Sequence, residues 1–171
     1  KKREQLTFRQ QELEVLTVNQ YDWEDGQTDK QLQLLNEAGQ EINLYLRQNQ
    51  SLLKAYQEKK WSLFAAKPLN FDSKDPQASL EIEGTTYRLE QYQVGDLHLP
   101  EVFPAKATEQ WWYQSTDGKE SLRILSLLGV LQFYRGAELD TGDFEAPLDL
   151  NRKPLDDLQY NRRTWDDEEL V

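Results

Sequence analysis

The clearest hydrophobic pattern of the chain lies in residues 111–135. Two runs in which apolar and polar residues alternate flank Asp117-Gly118, a turn signal that is typical of β-hairpins. Gly129 separates the second run from a third run over residues 130–134. Because this is the densest apolar block of the sequence, it predicts three consecutive strands at the centre of the core.

The first half of the chain contains the most regular alternation. Ile42, Leu44 and Leu46 alternate with other residues in the period of two that a strand requires. Residues 36–39, with the sequence NEAG, precede this run and predict a turn, since glycine adopts positive φ angles without strain. The pattern therefore predicts a second hairpin.

Three further segments of the first half are less regular. Residues 6–8 and 13–15 predict two short strands, and residues 21–29, with the sequence YDWEDGQTD, predict a polar loop with an aromatic anchor. Residues 52–64 leave two interpretations open. Their apolar residues fit one face of a helix, whereas the similarity between the two halves of the chain favours a strand followed by a turn.

That similarity is an alignment of the chain with itself at offsets of 74 to 79 residues. The extra residues of the second half fall within residues 97–108, a predicted loop that holds Pro100 and Pro104. The alignment predicts an imperfect duplication of a unit of four or five strands. Two unrelated antiparallel meanders that look alike by chance are the alternative. The aligned pairs are Phe8 with Ile82, Leu13 with Tyr87, Gly39 with Gly118, and Tyr56 with Tyr134.

The predicted fold class is mainly β, with two similar antiparallel meander units in a barrel-like or sandwich arrangement and at most one or two helices. A segment rich in proline and aspartate separates the two units, and a segment of mixed charge with few apolar residues follows the second unit. The predicted division is a polar lead-in over 1–5, a first β unit over 6–66, a linker over 67–79, a second β unit over 80–148 and a charged C-terminal tail over 149–171.

Composition adds an acidic surface to this picture. The 171 residues include 31 Asp and Glu against 20 Lys and Arg, for a net charge of −11. Such a charge repels nucleic-acid and anionic lipid phosphates and suits a soluble protein or one with a basic partner. No apolar run reaches the roughly 18 residues of a membrane-spanning helix. We expect a cytoplasmic protein, either free or peripheral to the membrane, and a natural start upstream of Lys1, where a signal or anchor would lie.

Candidate catalytic and metal-binding residues are few. The chain has no cysteine and one histidine, His98, so the sequence predicts no zinc site of the usual types and no thiolate nucleophile. Asp140-Thr141-Gly142 matches the short motif of aspartic proteases, but turn chemistry accounts for it better. Residues 22–26, with the sequence DWEDG, lack the alternating carboxylates of a calcium loop. We therefore predict a protein that is not an enzyme and that uses no cofactor or metal.

Exposed aromatic residues are the remaining candidates for a binding site. Trp111, Trp112 and Tyr113 are consecutive, so in a strand they cannot all face one core. Either Trp112 packs under a second layer or it lies at a protein interface, where tryptophan is frequent. Tyr21, Trp23, Trp61 and Phe103 admit the same two interpretations, and packing is the favoured one for each. The predicted partner-binding residues are Trp112, Tyr113, Tyr160, Trp165, Asp166, Asp167, Glu168 and Glu169.

Three groups of residues carry a resemblance to a known family: Gly84-Thr85-Thr86-Tyr87-Arg88-Leu89, Trp111-Trp112-Tyr113 with Asp117-Gly118, and, in the first half, Gln31 to Leu46 with Asn36 to Gly39. On these residues each half of the chain resembles a bacterial domain-of-unknown-function family, number 4178. The resemblance covers most of residues 6–144 and implies a β-rich fold with no assigned reaction. It also implies association with bacterial envelope-stress or membrane-remodelling systems of the phage-shock type.

Two functional hypotheses follow from the sequence. The first is a noncatalytic protein-interaction or assembly module, accessory to a bacterial membrane-associated or envelope-stress complex. The alternative is an acidic inhibitor or immunity-type protein that covers a basic partner enzyme, which the net charge of −11 allows. An enzyme ranks third. An exposed apolar patch favours the first hypothesis, a concentrated acidic face the second, and a deep pocket with converging polar groups the third.

Overall fold

Strands make up most of the part of the chain that the computed structural model describes, which is residues 5–9, 11–49, 52–140 and 142. The first half contains β1 (Gln5–Phe8), β2 (Gln11–Trp23), β3 (Thr28–Leu35), β4 (Glu41–Asn49) and β5 (Leu52–Trp61). A short helix, α1 (Leu63–Ala66), and a 3-10 turn (Lys67–Leu69) follow. The second half contains β6 (Ser79–Ile82), β7 (Thr85–His98), β8 (Lys106–Ser115), β9 (Glu120–Leu127) and β10 (Val130–Leu139).

These strands form a single antiparallel sheet that closes on itself. The ring runs β2, β3, β4, β5, β10, β9, β8 and β7, and it closes because β7 pairs with the last residues of β2. β1 and β6 lie outside the ring, where β1 pairs with the first residues of β2 and β6 with the first residues of β7. The predicted mainly β, barrel-like fold is confirmed as a closed eight-stranded antiparallel barrel.

The two halves have the same topology and meet each other twice. β1 to β5 follow one another in the sheet, as β6 to β10 do, and the halves join where β5 pairs with β10 and where β2 pairs with β7. Each long strand carries an irregularity at the same place, at Leu16 in β2 and at Glu90 in β7. The two positions differ by 74 residues, as do Phe8 and Ile82. The halves thus share their strand order and the place of this irregularity, and the predicted duplication stays a prediction.

The prediction of a polar loop over residues 21–29 is wrong. β2 continues to Trp23 and β3 begins at Thr28, so only residues 24–27 form a turn. The polar sequence of these residues suggested a loop, but Tyr21, Trp23 and Asp29 point into the barrel. There they contact each other and other polar side chains. A polar run can remain in a strand when its side chains find partners inside.

The structure also resolves the two segments between the halves. Residues 52–61 form β5, and α1 begins after Ser62, whose Oγ accepts a hydrogen bond of 3.0 Å from the Ala65 amide. Residues 67–79, predicted as a linker, pack on the barrel: Leu69 and Phe71 contact its apolar side chains. The segment predicted as a linker therefore packs against the single barrel that the strands of both predicted units form.

Apolar side chains collect in three clusters. The interior cluster lies inside the ring and consists of Tyr21, Trp23, Tyr45, Tyr56, Leu97, Trp112 and Leu125. The first core lies on the other face of the first-half strands and consists of Leu6, Phe8, Leu13, Val15, Val18, Leu32, Leu34, Leu44, Leu46, Ala55 and Leu139. The second core is its counterpart in the second half and consists of Ala66, Leu80, Ile82, Tyr87, Trp111, Tyr113, Leu122, Ile124 and Phe133.

Closure of the ring depends on a close backbone approach at Gly95. A Cβ atom there would overlap the carbonyl oxygen of Asp22 on β2. We expect Gly95→Ala to force β2 and β7 apart and to lower the free energy of unfolding by about 3 kcal/mol, at the upper end for overpacking substitutions. Urea unfolding followed by circular dichroism measures this change. Thr86→Ala, at an exposed position of the same strand, is the control, and equal stability of the two variants would contradict the closed ring.

Candidate functional site

The aromatic residues predicted to contact a partner are buried. Trp112 is 2% exposed and belongs to the interior cluster, whereas Tyr113 is 0% exposed and belongs to the second core. Both faces of β8 are covered by other residues, so Trp112 and Tyr113, which point to opposite faces, both lie in apolar clusters. Neither side chain reaches the surface. The prediction of a contact surface at these two residues is therefore wrong. The other predicted contact residues, Tyr160, Trp165, Asp166, Asp167, Glu168 and Glu169, lie outside the described part of the chain.

A buried ion pair occupies the centre of the barrel. Arg123 on β9 donates to both carboxylate oxygens of Glu58 on β5, with Nε to Oε2 at 3.0 Å and Nη2 to Oε1 at 2.8 Å. Its remaining nitrogen, Nη1, donates to Gln110 Oε1 at 3.2 Å and lies 3.5 Å from the Tyr21 hydroxyl. This two-pronged geometry is the strongest that an arginine and a carboxylate can form. It joins strands of the two halves.

Aromatic rings complete the surroundings of Arg123. Its guanidinium carbon lies 3.9 Å from the ring centre of Tyr45 and 4.2 Å from that of Tyr134. Burial alone would lower the pKa of Arg123, but the Glu58 carboxylate and the nearby tyrosines raise it well above its usual range. The side chain is therefore a permanent cation, although it is fully buried.

A second polar group lies on the neighbouring strands β3 and β4. Asp29 and Arg47 are directly opposite each other in the sheet, and the Arg47 Nε atom lies 3.3 Å from the Asp29 carboxylate. The same carboxylate accepts hydrogen bonds from Trp23 Nε1 at 2.8 Å, the Tyr45 hydroxyl at 2.5 Å and Gln27 Nε2 at 2.9 Å. Its partners are all donors, so both oxygens of the buried Asp29 carboxylate accept hydrogen bonds.

Arg47 links this group to the second half of the chain. Its Nη2 atom donates to Gln93 Oε1 at 2.6 Å and to Gln91 Oε1 at 3.2 Å, both on β7. Its guanidinium lies over the ring of Trp112, 4.2 Å from the centre. Trp112, on β8, therefore packs against the buried cation of Arg47. Packing inside the protein was one of the two roles that the sequence left open for Trp112.

The interior tyrosines act as neutral hydrogen-bonding groups. Burial raises the pKa of Tyr21 to about 12 and that of Tyr45 well above its ordinary value. The Tyr21 hydroxyl donates to Gln31 Oε1 at 2.7 Å, and the Tyr45 hydroxyl accepts from Gln110 Nε2 at 3.2 Å while it donates to Asp29. Both phenols stay protonated at neutral pH. Within the described residues the four buried charged side chains of this interior, Asp29, Arg47, Glu58 and Arg123, thus have partners, whereas the buried hydroxyl of Ser121 on β9 has no hydrogen-bond partner.

The residues singled out for catalysis lie at opposite ends of the barrel. His98 ends β7, and its Nε2 atom lies 2.9 Å from a carboxylate oxygen of the half-exposed Asp22. Asp140 follows β10 and accepts a hydrogen bond of 2.9 Å from the Gly142 amide, as a turn residue does. Within the described residues no three His, Cys, Asp or Glu side chains are grouped to hold a metal ion. His98 and Asp140 therefore do not share one site.

Exposed apolar side chains of the described residues collect at the end of the barrel where β3, β5, β7 and β9 finish. We call this the α1 end, because α1 follows β5 there. Phe103, in the loop after β7, is 94% exposed, which contradicts its expected packing, and Phe64 in α1 is 87% exposed. Loops and strand ends from five neighbouring strands contribute to this apolar rim. Its residues are Leu63, Phe64, Val102, Phe103, Leu128 and Val130.

The opposite end, where β2, β4, β8 and β10 finish, carries an open groove. We call it the Asp140 end. The groove has a volume of about 440 Å³. It is apolar along the start of β5 and the end of β10, and charged at its borders. Its lining residues are Leu52, Leu53, Lys54, Lys119, Glu138, Leu139 and Asp140.

These features define a closed antiparallel barrel whose interior is filled by ion pairs and aromatic rings. Comparison with family models, curated protein sequences and solved structures found no match. The resemblance to family 4178 therefore stays a prediction. In the part of the chain that the structure describes, no helix is long and apolar enough to cross a membrane.

The buried ion pair yields a direct test of this interior. We expect Arg123→Leu to leave the Glu58 carboxylate buried without a partner and to reduce the free energy of unfolding by about 3–5 kcal/mol. The double variant Arg123→Leu/Glu58→Leu should be more stable than this single variant, because no charge is left unpaired. Chemical unfolding measures both values.

The matched control is the ion pair of Lys54 and Glu138, whose atoms are 3.9 Å apart and partly exposed. Such a pair contributes at most about 1 kcal/mol, so Lys54→Leu should have a small effect. If Arg123→Leu were no more destabilising than this control, Arg123 would not be holding the two halves together.

Proposed function

We propose that the protein is a noncatalytic protein-interaction module that contacts its partner through the apolar rim at the α1 end. One observation carries the proposal: six of the eight large apolar side chains exposed in the described residues share this end of the barrel. The other two are Leu52 and Tyr92. Large apolar residues that cluster on a surface are typical of sites that bind other proteins.

The location of the rim supports this function. Its residues project from one helix and two connecting segments, while the strands below them are fixed by the interior ion pairs. A rigid scaffold that presents apolar loops loses little conformational entropy when a partner binds. The buried charges of the interior, in contrast, are paired with one another among the described residues. Binding is thus the better supported role.

The finer parts of the proposal come from the sequence. Accessory action in a bacterial membrane-associated or envelope-stress complex rests on the resemblance to family 4178. A basic partner enzyme is the alternative, and it rests on the net charge of −11 and on the acidic residues 166–169. The two readings differ in the surface used, because the first requires the apolar rim and the second requires the acidic tail.

A pull-down from native lysate, read by mass spectrometry, tests the contact surface. We expect the double variant Phe64→Ser/Phe103→Ser to lose proteins that the unchanged chain retains. Removal of a large aromatic group from the centre of an interface costs about 2 kcal/mol or more, so the loss of two should weaken the affinity by roughly a thousand-fold. Both side chains are exposed, so the barrel itself should remain folded by circular dichroism.

Leu52→Ser is the matched control, since Leu52 is an exposed leucine at the opposite end of the barrel. It should retain the same proteins as the unchanged chain. A chain shortened by residues 149–171 separates the two hypotheses. Partners that survive both rim substitutions and are lost with this tail would contradict the rim proposal and favour the acidic inhibitor.

A further inference from the structure

We propose that the pairing of residues 20–23 of β2 with residues 95–98 of β7, which closes the ring, is sensitive to pH. We call this pairing the seam. In it the positive charge of protonated His98 offsets the repulsion between two carboxylates, Asp22 and Asp96. Protonation strengthens the closure of the ring, and loss of the proton weakens it. The proposal concerns how the barrel is held closed and is independent of the proposed function.

The seam is the shorter of the two junctions between the halves. Four residue pairs form it, from Gln20 opposite His98 to Trp23 opposite Gly95, whereas seven pairs join β5 to β10. Its two backbones also lie so close that a Cβ atom at Gly95 would overlap the carbonyl oxygen of Asp22. One side-chain interaction is therefore a larger part of what holds this junction than of what holds the other.

Two carboxylates face each other across the seam. Asp22 and Asp96 are directly opposite in the antiparallel register, so their side chains project from the same face of the sheet. This is the outer face, because their neighbours Tyr21, Trp23 and Leu97 belong to the interior cluster. Cβ atoms of opposite residues are about 5 Å apart, and like charges in such a pair destabilise a sheet. The seam therefore carries a repulsion that an adjacent cation relieves.

His98 lies beside both carboxylates. Its Nε2 atom is 2.9 Å from Asp22 Oδ2 on the neighbouring strand. On its own strand it points to the same face as Asp96, two residues earlier. A neutral imidazole has one N–H donor, whereas the protonated ring has two and a positive charge. Protonation thus converts a hydrogen bond between a neutral ring and a carboxylate into an ion pair that joins β2 to β7.

An unpaired acceptor adds to these surroundings. Gln20 lies directly opposite His98, and its Nε2 atom donates to Asp22 Oδ1 at 2.8 Å. Its Oε1 atom is buried and has no hydrogen-bond partner among the described residues. The groups next to the ring are therefore two carboxylates and one amide oxygen. Acceptors of this kind interact more favourably with the charged form of histidine than with the neutral one.

The cations of the neighbouring strands are farther from the ring. Lys30 on β3 lies opposite Gln20, so two strand spacings, or about 10 Å, separate it from His98. Lys106 on β8 lies opposite Leu97, whose side chain belongs to the interior cluster, and therefore projects from the other face of the sheet. The further ionisable side chains of the adjoining turn, loop and strand are acidic: Glu24 after β2, Glu101 after β7 and Glu109 on β8.

Urea unfolding at about pH 8 and about pH 5.5 tests the proposal, because His98 is the only histidine and histidine ordinarily gains its proton in this range. His98→Gln keeps a polar side chain without this titration. The unfolding equilibrium constant of His98→Gln, divided by that of the unchanged chain, should be about five-fold larger at the lower pH, as a partly exposed ion pair supplies. All other groups titrate in both chains, so their effects cancel in this ratio.

Two further variants test the carboxylates. Asp96→Asn should stabilise the chain more at pH 8 than at pH 5.5, because its carboxylate repels Asp22 most when His98 is neutral. Asp75→Asn, at an exposed position outside the seam, is the matched control and should have the same effect at both pH values. In a chain that carries Asp22→Asn, the pH dependence of the His98→Gln effect should disappear.

The opposite results would overturn the proposal. If the unchanged chain and His98→Gln lost and gained stability in parallel between the two pH values, the charge of His98 would not hold the seam. If the difference between them grew toward pH 8, the neutral ring would be the form that stabilises the closure. If the pH-dependent difference persisted in the Asp22→Asn background, it would arise from a partner other than Asp22.

Discussion

The buried pair of Arg123 and Glu58 is the interaction on which the barrel depends. Both side chains are almost completely removed from water, and the loss of hydration is a large cost that only a complete set of partners can offset. Those partners come from several strands of both halves: Gln110 from β8, and Tyr21 and Tyr45 from β2 and β4. Neither half alone supplies the full set, so the charges require a closed ring.

The same constraint explains the unusual layering of the protein. Strands β4, β8 and β9 are buried on both faces, with charged and aromatic residues on the interior face and aliphatic or aromatic residues on the other. Gly136 lies directly opposite Glu58 in the sheet, and a Cβ atom there would come within 2.5 Å of the Ser121 hydroxyl. The absence of a side chain at this position leaves space for the ion pair where the two halves meet.

Much of the fold could be predicted from the sequence, because period-two alternation and glycine turns are local signals. These signals predicted the strand around Ile42 and the turns at Gly39 and Gly118. They also indicated that the two halves have a similar order of strands. The candidate surfaces were not, because burial depends on what covers a strand. Trp112 looked available for a partner since three aromatic residues in a row cannot face one core, but β8 faces two. The sequence does contain one indication of a charged interior: Arg123 lies between Leu122 and Ile124 in the densest apolar block.

Native-state hydrogen exchange in increasing urea tests most directly whether the two halves form a single closed barrel. We expect amides of β2 and β7 where these strands pair, amides of β5 and β10, and amides around Arg123 to exchange with one common free energy of opening, equal to that of global unfolding. If the amides of one half opened at a lower free energy while those around Arg123 stayed protected, the buried ion pair would not hold the ring closed and the account would be contradicted.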